Sequence, residues 1–244
     1  MIELVNLTKR FGSLLAVNGI NLAIGNGEIF GFIGPNGAGK TTTIRMMGGT
    51  LSPSAGTVLI DGIDIGMDPV EAKRRIGFIP DRPFIYEKLT GMEFLRFTAD
   101  LYNVKDGSFP DKAREILAVF SLREWADELI EAYSHGMKQR LTIAAALLHD
   151  PRVIIVDEPM VGLDPAGIRL VKGIFRNLAS EGKSVFLSTH TLEIAEDLCS
   201  RIGIIREGNL IATGTMSDLK VAAGVREADL EAVFLRLTME RDLA

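Results

Sequence analysis

The chain has 244 residues, 47% hydrophobic and 24% charged, which allows one large domain or a core carrying an inserted subdomain. Its formal net charge of −5 excludes bulk electrostatic attraction to nucleic acid or anionic lipid. The single cysteine, Cys199, has no internal partner for a disulfide, which fits a reducing compartment.

In chain order, Met1 runs straight into Ile2 to Leu7, an alternating strand pattern with no basic leader, so no secretion signal is expected. Leu15 to Ile24 predicts a strand that ends at the Gly25-Asn26-Gly27 turn. Glu28 to Ile33 predicts another, running into a glycine-rich loop, and Thr41 to Met47 then has helical character. Val58 to Ile60 and Ile63 to Ile65 flank Asp61-Gly62, a two-residue hairpin signal. Ile76 to Pro80 reads as a short buried strand.

The texture changes between about residues 85 and 150. Helix-period stretches replace strands there: Gly91 to Leu101, Asp111 to Phe120 and Lys138 to Leu148. The most apolar run, Leu141 to Leu148, is far shorter than the ~20 residues a membrane-spanning helix needs, and it contains Thr142. Val153 to Val156 is β-branched and apolar, as expected of a strand covered on both faces. Val185 to Leu187 and Ile202 to Ile205 repeat that pattern, with helices between them. Glu207-Gly208-Asn209 turns into Leu210 to Ala212, and the last thirty residues are helical and amphipathic. The expected fold is an α/β core split by a helical insertion.

The chemistry is concentrated in two motifs. Gly34-Pro35-Asn36-Gly37-Ala38-Gly39-Lys40-Thr41 matches G-x-x-x-x-G-K-S/T and sits between a predicted strand and a predicted helix. Glycines let backbone N–H groups turn around phosphate oxygens, and the helix N-terminus adds partial positive charge. Lys40 would bridge the β- and γ-phosphates, and the Thr41 hydroxyl would ligate magnesium. Kinases, GTPases, helicases and transport ATPases share this loop; the Asn-Lys-x-Asp guanine reader of GTPases is absent. The second motif is Val153 to Val156 followed by Asp157 and Glu158. Asp157 at a strand tip suits magnesium, and Glu158 beside it suits a general base for water.

Further matches make the chain resemble the ABC ATPases over nearly its whole length. Tyr133-Ser134-His135-Gly136-Met137-Lys138-Gln139-Arg140 is similar to the family signature Leu-Ser-Gly-Gly-Gln-x-x-Arg, just ahead of the helix leading to the acidic strand. Gly162-Leu163-Asp164-Pro165 resembles the D-loop, and Ser188-Thr189-His190 resembles the switch-histidine segment. Phe11 matches the aromatic position that stacks on adenine, and Val17 is counted with it among the nucleotide contacts.

Read as residues alone, these positions have second readings. Ser134 suits a helix cap, which would also aim that helix end outward. His190 suits an ordinary strand end, Phe11 a core position, and Asp164 a residue shaping a turn.

The resemblance implies a P-loop NTPase fold: a RecA-like mixed sheet with an antiparallel β subdomain, plus the helical insertion. The core would comprise residues 1–84 and 151–213, the signature-bearing helical subdomain 85–150, and a C-terminal helical extension 214–244. It implies an ATPase that dimerises head to tail around two ATP molecules, as a homodimer. Gly34 to Thr42, including Pro35, Asn36, Gly37, Ala38 and Gly39, would hold phosphate in cis. Ser134, Gly136 and Asp164 would complete the site, the first two in trans. Lys40, Glu158 and His190 would carry catalysis, with Thr41 and Asp157 on Mg2+. The implied partner is a separate integral membrane permease, met at the cytoplasmic face, with no contact to nucleic acid. Rival readings are a soluble ABC ATPase that transports nothing and a nucleotide-dependent switch module.

Two departures stand out. Asp81 replaces the family's usual glutamine after Ile76 to Pro80; it either approaches magnesium or only shapes the Asp81-Arg82-Pro83 turn. His135 and Met137 replace a glycine and a glutamine of the signature, and a methionine cannot copy a glutamine's hydrogen bonds. Similar variants, with the run Pro80 to Thr90 and the closing Leu230 to Thr238, resemble the exporter and multidrug branch, which favours export over import. The apolar Pro83, Phe84, Ile85 and Tyr86 would serve either the permease or packing of the insertion.

Overall fold

The computed structural model describes residues 1–104, 107 and 109–239. Two sheets carry the architecture. The first is antiparallel, in the order β2-β1-β4-β5, from β1 (Ile2–Phe11), β2 (Leu14–Ile24), β4 (Ala55–Ile60) and β5 (Ile63–Asp64). Asp61 and Gly62 join the last two with φ of 50° and 81°, the left-handed pair a two-residue hairpin demands.

The second sheet runs β10-β9-β3-β8-β7-β6. Its strands β3 (Ile29–Ile33), β6 (Ile76–Ile79), β7 (Val153–Asp157), β8 (Ser184–Ser188) and β9 (Arg201–Arg206) are parallel, and β10 (Asn209–Gly214) closes one edge antiparallel. Every residue of β3, β7 and β8 is buried, which is why their central residues are apolar without alternation, polar side chains entering only at strand ends such as Asp157, Ser184 and Ser188. Their side chains still alternate between two cores. Val153, Ile155 and Phe186 point into the layer shared with α1 (Lys40–Met47) and the first sheet, where Phe186 lies 5.2 Å from Phe32 between ring centres. Ile154, Val156, Val185 and Leu187 face the helices on the other side.

Those helices are α3 (Gly91–Leu101), α4 (Phe109–Val119) and α5 (His135–Leu147), inserted between β6 and β7, together with α6 (Pro165–Ser180). The core of the insertion, including Leu95, Phe109, Leu117 and Leu141, continues without a break into the outer face of the sheet. The helix α5 lies so close to β6 that a Cβ on Gly77 would stand 2.7 Å from the Ala146 carbonyl oxygen. It starts at His135, three residues before the apolar periodicity suggests, because the Ser134 hydroxyl accepts from the Met137 N–H at 3.3 Å and caps it. A helix the periodicity does not reveal, α2 (Pro69–Arg74), is set by its start signal instead. Asp68 accepts from the Glu71 N–H, and Pro69 occupies the first turn.

After α7 (Leu192–Leu198), the helices α8 (Met216–Ala222) and α9 (Leu230–Met239) close the chain. They bury Leu219, Leu230 and Val233 in a third cluster with Ile33 and Ala195. Residues 240–244 of the expected C-terminal extension lie outside the described residues. Among the described residues no helix is long and apolar enough to cross a membrane.

Candidate functional site

The ends of β3, β7 and β8 meet at one rim of the parallel sheet, where ligands of open α/β sheets bind. From β3 the chain enters the Gly34–Gly39 loop and then α1. The glycines are imposed by crowding. A Cβ on Gly34 would lie 2.3 Å from the Ile205 carbonyl oxygen; one on Gly39, whose φ is 109°, would lie 2.5 Å from that of Ala16. The Lys40 ammonium turns back over the loop, donating to the Gly34 carbonyl at 2.5 Å and the Pro35 carbonyl at 3.1 Å. Burial lowers its pKa, against the opposing charges of Glu158 and Asp157.

A cleft of about 330 Å³ opens over this loop. Phe11, Leu14 and Ala16 form one wall, the loop from Asn36 through Thr42 the floor, and Asp81, Asp157 and Glu158 the far side. Phe11 is 48% exposed, so it is a surface ring and not a core residue. Val17 differs from its expected role. It is fully buried behind Gly39 and has no surface to offer a ligand; the alternation of β2 turns Ala16 to the cleft instead.

Asp157 is 8% exposed, and burial raises its pKa, helped by the nearby charges of Asp81 and Glu158. Glu158 follows with φ of 48°, left-handed for a residue with a side chain, a conformation costing roughly 1 kcal/mol. It is held there from several sides. Its N–H donates to the Ser188 carbonyl at 2.9 Å. Its carboxylate accepts from the Thr189 hydroxyl at 3.0 Å, from the His190 N–H at 2.8 Å, and pairs with the His190 ring Nδ1 at 2.7 Å. Thr189 is a site residue that motif reading passes over; its only signal is its place between Ser188 and His190.

The signature residues stand elsewhere. Ser134 and Gly136 do not line the cleft; they lie at the start of α5, where Gly136 approaches the Gly162 carbonyl. Asp164 caps α6 by accepting from the Gly167 N–H at 2.8 Å. The two departures in the signature have different surroundings. Met137 is 9% exposed and packs in the core, so its side chain needs no polar partner there. The His135 ring covers Gly162, whose φ of 78° and lack of a Cβ make room for it. His135 also lines a second hollow with Asp81, Arg82, Glu87, Lys138 and Glu158. Gln139, 1% exposed, donates to the Pro159 carbonyl and so ties α5 to the acidic motif.

Among the described residues no group of three or more His, Cys, Asp or Glu forms a ready metal cage. Asp81 faces the same cleft as Asp157 and Glu158, near enough for its charge to act on Asp157. Thr41 and Asp157, facing one cleft, fit a hard cation that takes one or two protein oxygens and completes its shell with phosphate and water.

A glycine-rich loop opening a helix, with a buried acid and a constrained adjacent glutamate at neighbouring strand ends, defines a phosphate-loop nucleoside triphosphatase. A family model described as "ABC transporter" matches residues 17–161. The chain is 38% identical to the linearmycin resistance ATP-binding protein LnrL of Bacillus subtilis over 244 residues, covering 96% of this chain and 78% of that one. It is 36% identical to the probable multidrug ABC transporter ATP-binding protein YbhF of Escherichia coli, covering 99% of this chain but 42% of that protein. A solved "ATP binding subunit of ABC transporter" superposes with a TM-score of 0.92 at 31% identity, covering 97% of this chain and 99% of the other. The dimeric post-hydrolysis cassette MJ0796 bound to ADP and Pi superposes at 0.78 and 28% identity, covering 88% and 99%. The chain belongs to the ABC transporter family, as one of its ATP-binding, ATP-hydrolysing subunits.

Proposed function

We propose that two copies of this chain close head to tail around two ATP molecules and drive a separate membrane permease that exports its cargo. The observation that carries this reading is the split site. One chain gathers Phe11, the phosphate loop, Asp157 and Glu158 around a cleft, while Ser134 and Gly136 lie outside it. A second copy would present its own capped helix start, Ser134 to Gly136, to the γ-phosphate.

In this reading Phe11 stacks on adenine, backbone N–H groups of Gly34 to Thr42 hold the phosphates, and Lys40 spans the β- and γ-oxygens. Thr41 and Asp157 hold magnesium, which when bound neutralises charge on the β- and γ-phosphates. Glu158 orients the attacking water and takes its proton. His190, already paired with Glu158, stabilises the γ-phosphate, and Asp164 fixes the start of α6 at the interface. Asp81 lies at the junction of the nucleotide cleft and the second hollow, where it would either approach magnesium beside Asp157 or only shape the Asp81-Arg82-Pro83 turn.

The permease would dock on residues 82–105, where Phe84 is 88% exposed and Tyr86 packs edge-on against Phe97 with ring centres 5.3 Å apart. Membrane association would come through that partner alone, from the cytoplasmic face. Export is favoured by the resistance and multidrug names of the relatives. We divide the chain into a nucleotide-binding core at 1–84 and 151–213, a helical subdomain at 85–150 and an extension from 214.

Glu158→Gln tests the clamp. It should keep ATP binding, lose turnover and elute as a dimer in gel filtration with ATP and magnesium. A variant that stays monomeric with both bound refutes the model.

A further inference from the structure

We infer that the β9–β10 turn, centred on Gly208, is a positioning element that fixes the adenine wall of the cleft at its working distance from the phosphate loop. The inference rests on the reading of the cleft as the ATP site, and it adds residues that no part of that reading uses.

The two walls of the cleft come from different sheets. Phe11, Leu14 and Ala16 belong to the antiparallel sheet, whereas the phosphate loop grows out of β3 in the parallel one. Gly208 bridges them with its own backbone. Its N–H donates to the Ala38 carbonyl in the phosphate loop at 2.9 Å, and its carbonyl accepts from the Asn18 N–H on β2 at 2.8 Å. Asn18 Nδ2 adds a bond to Asn209 Oδ1 at 2.9 Å, and Asn209 Nδ2 closes the turn on the Glu207 carbonyl. A triphosphate with a base at one end must reach both walls at once, so the spacing this turn sets enters the affinity for ATP.

The turn has no slack on the adenine side. Gly208 has φ of 77°, and a Cβ there would meet the Ala16 carbonyl oxygen at 2.9 Å, its carbon at 3.1 Å and the Leu15 carbonyl oxygen at 3.3 Å. All three contacts are backbone of the adenine wall. The phosphate loop has supports of its own, from Ala38 N–H to the Pro35 carbonyl, Thr43 N–H to the Gly39 carbonyl, and Lys40 to the Gly34 carbonyl. A methyl group on Gly208 therefore displaces the base-binding wall more than the phosphate floor.

The test compares calorimetric affinities for ATP and inorganic tripolyphosphate, both with magnesium, in the full chain. Gly208→Ala should weaken ATP roughly 10-fold, the scale of losing a base–aromatic stack, and tripolyphosphate less than about 3-fold. Asn209→Ala, a milder cut that leaves the backbone free to fold, should move the ratio in the same direction. Gly182→Ala is the control: its φ is 85° but nothing lies within 4 Å of the added Cβ, so it carries the backbone strain alone and should leave the ratio unchanged. Lys40→Ala should weaken both ligands. If Lys40→Ala weakens neither, the cleft is not the phosphate site and the inference falls with that reading. If Lys40→Ala behaves as expected but Gly208→Ala and Asn209→Ala keep the wild-type ratio, the positioning role alone is overturned.

Discussion

His149, at the end of α5, makes the fold acid-sensitive in a defined window. Its ring stacks on Tyr102 with centres 3.7 Å apart, and its Nε2–H donates to the Ile76 carbonyl at 3.0 Å. That bond fixes the tautomer and leaves Nδ1 buried without a partner. Protonation would put a second N–H and a charge in that place. Burial accordingly lowers the pKa from 6.5 to about 4, despite the opposing effects of the Ile76 bond and Asp150. The depressed value means the unfolded chain takes up the proton first. Stability from this group is fully present above pH 6.5 and drains away as the pH falls toward 4. The full loss is about 3 kcal/mol, at most about 1.4 kcal/mol per pH unit. Urea unfolding of the wild type and of His149→Gln at pH 7, 6, 5 and 4.5 measures it. The variant should start lower at pH 7, by about 1 kcal/mol for the lost stacking, and fall less steeply across the window. Parallel stability curves for the two proteins between pH 7 and 4.5 would refute the reasoning.

Two helix caps form a matched pair. Ser134→Ala and Thr90→Ala should each lower stability by about 1 kcal/mol in denaturant unfolding, because each hydroxyl accepts from an N–H in the first turn of its helix. Only Ser134→Ala should also cut ATP turnover, by more than about 10-fold; equal turnover in both variants would leave Ser134 a cap and nothing more. Phe186→Ala removes its ring contacts with Phe32 and Phe30 on the neighbouring strand β3 and should cost about 3–5 kcal/mol, read as a lower urea midpoint.

Local sequence determined much of this protein. A phosphate loop needs glycines before a lysine, a covered parallel strand favours a near-continuous apolar run, and a two-residue hairpin favours pairs such as Asp-Gly. Each rule acts over a few neighbouring residues, so Gly34 to Thr41, Val153 to Asp157 and Asp61-Gly62 could be read directly. Family resemblance extended that reading to Ser134, Asp164 and His190, whose chemistry is ambiguous taken singly.

Tertiary structure decided what depends on residues distant in the chain. Val17 and Ala16 are adjacent in β2, yet the pleat buries one and turns the other to the cleft. Met137 breaks the signature on paper, but its side chain enters the core. The hold on Glu158 comes from β8 and the segment after it, some thirty residues away. The bridge at Gly208 joins residues from opposite ends of the chain. Sequence fixes which groups are present and their local backbone; which face meets which neighbour follows only once both sheets have packed and long-range hydrogen bonds have formed.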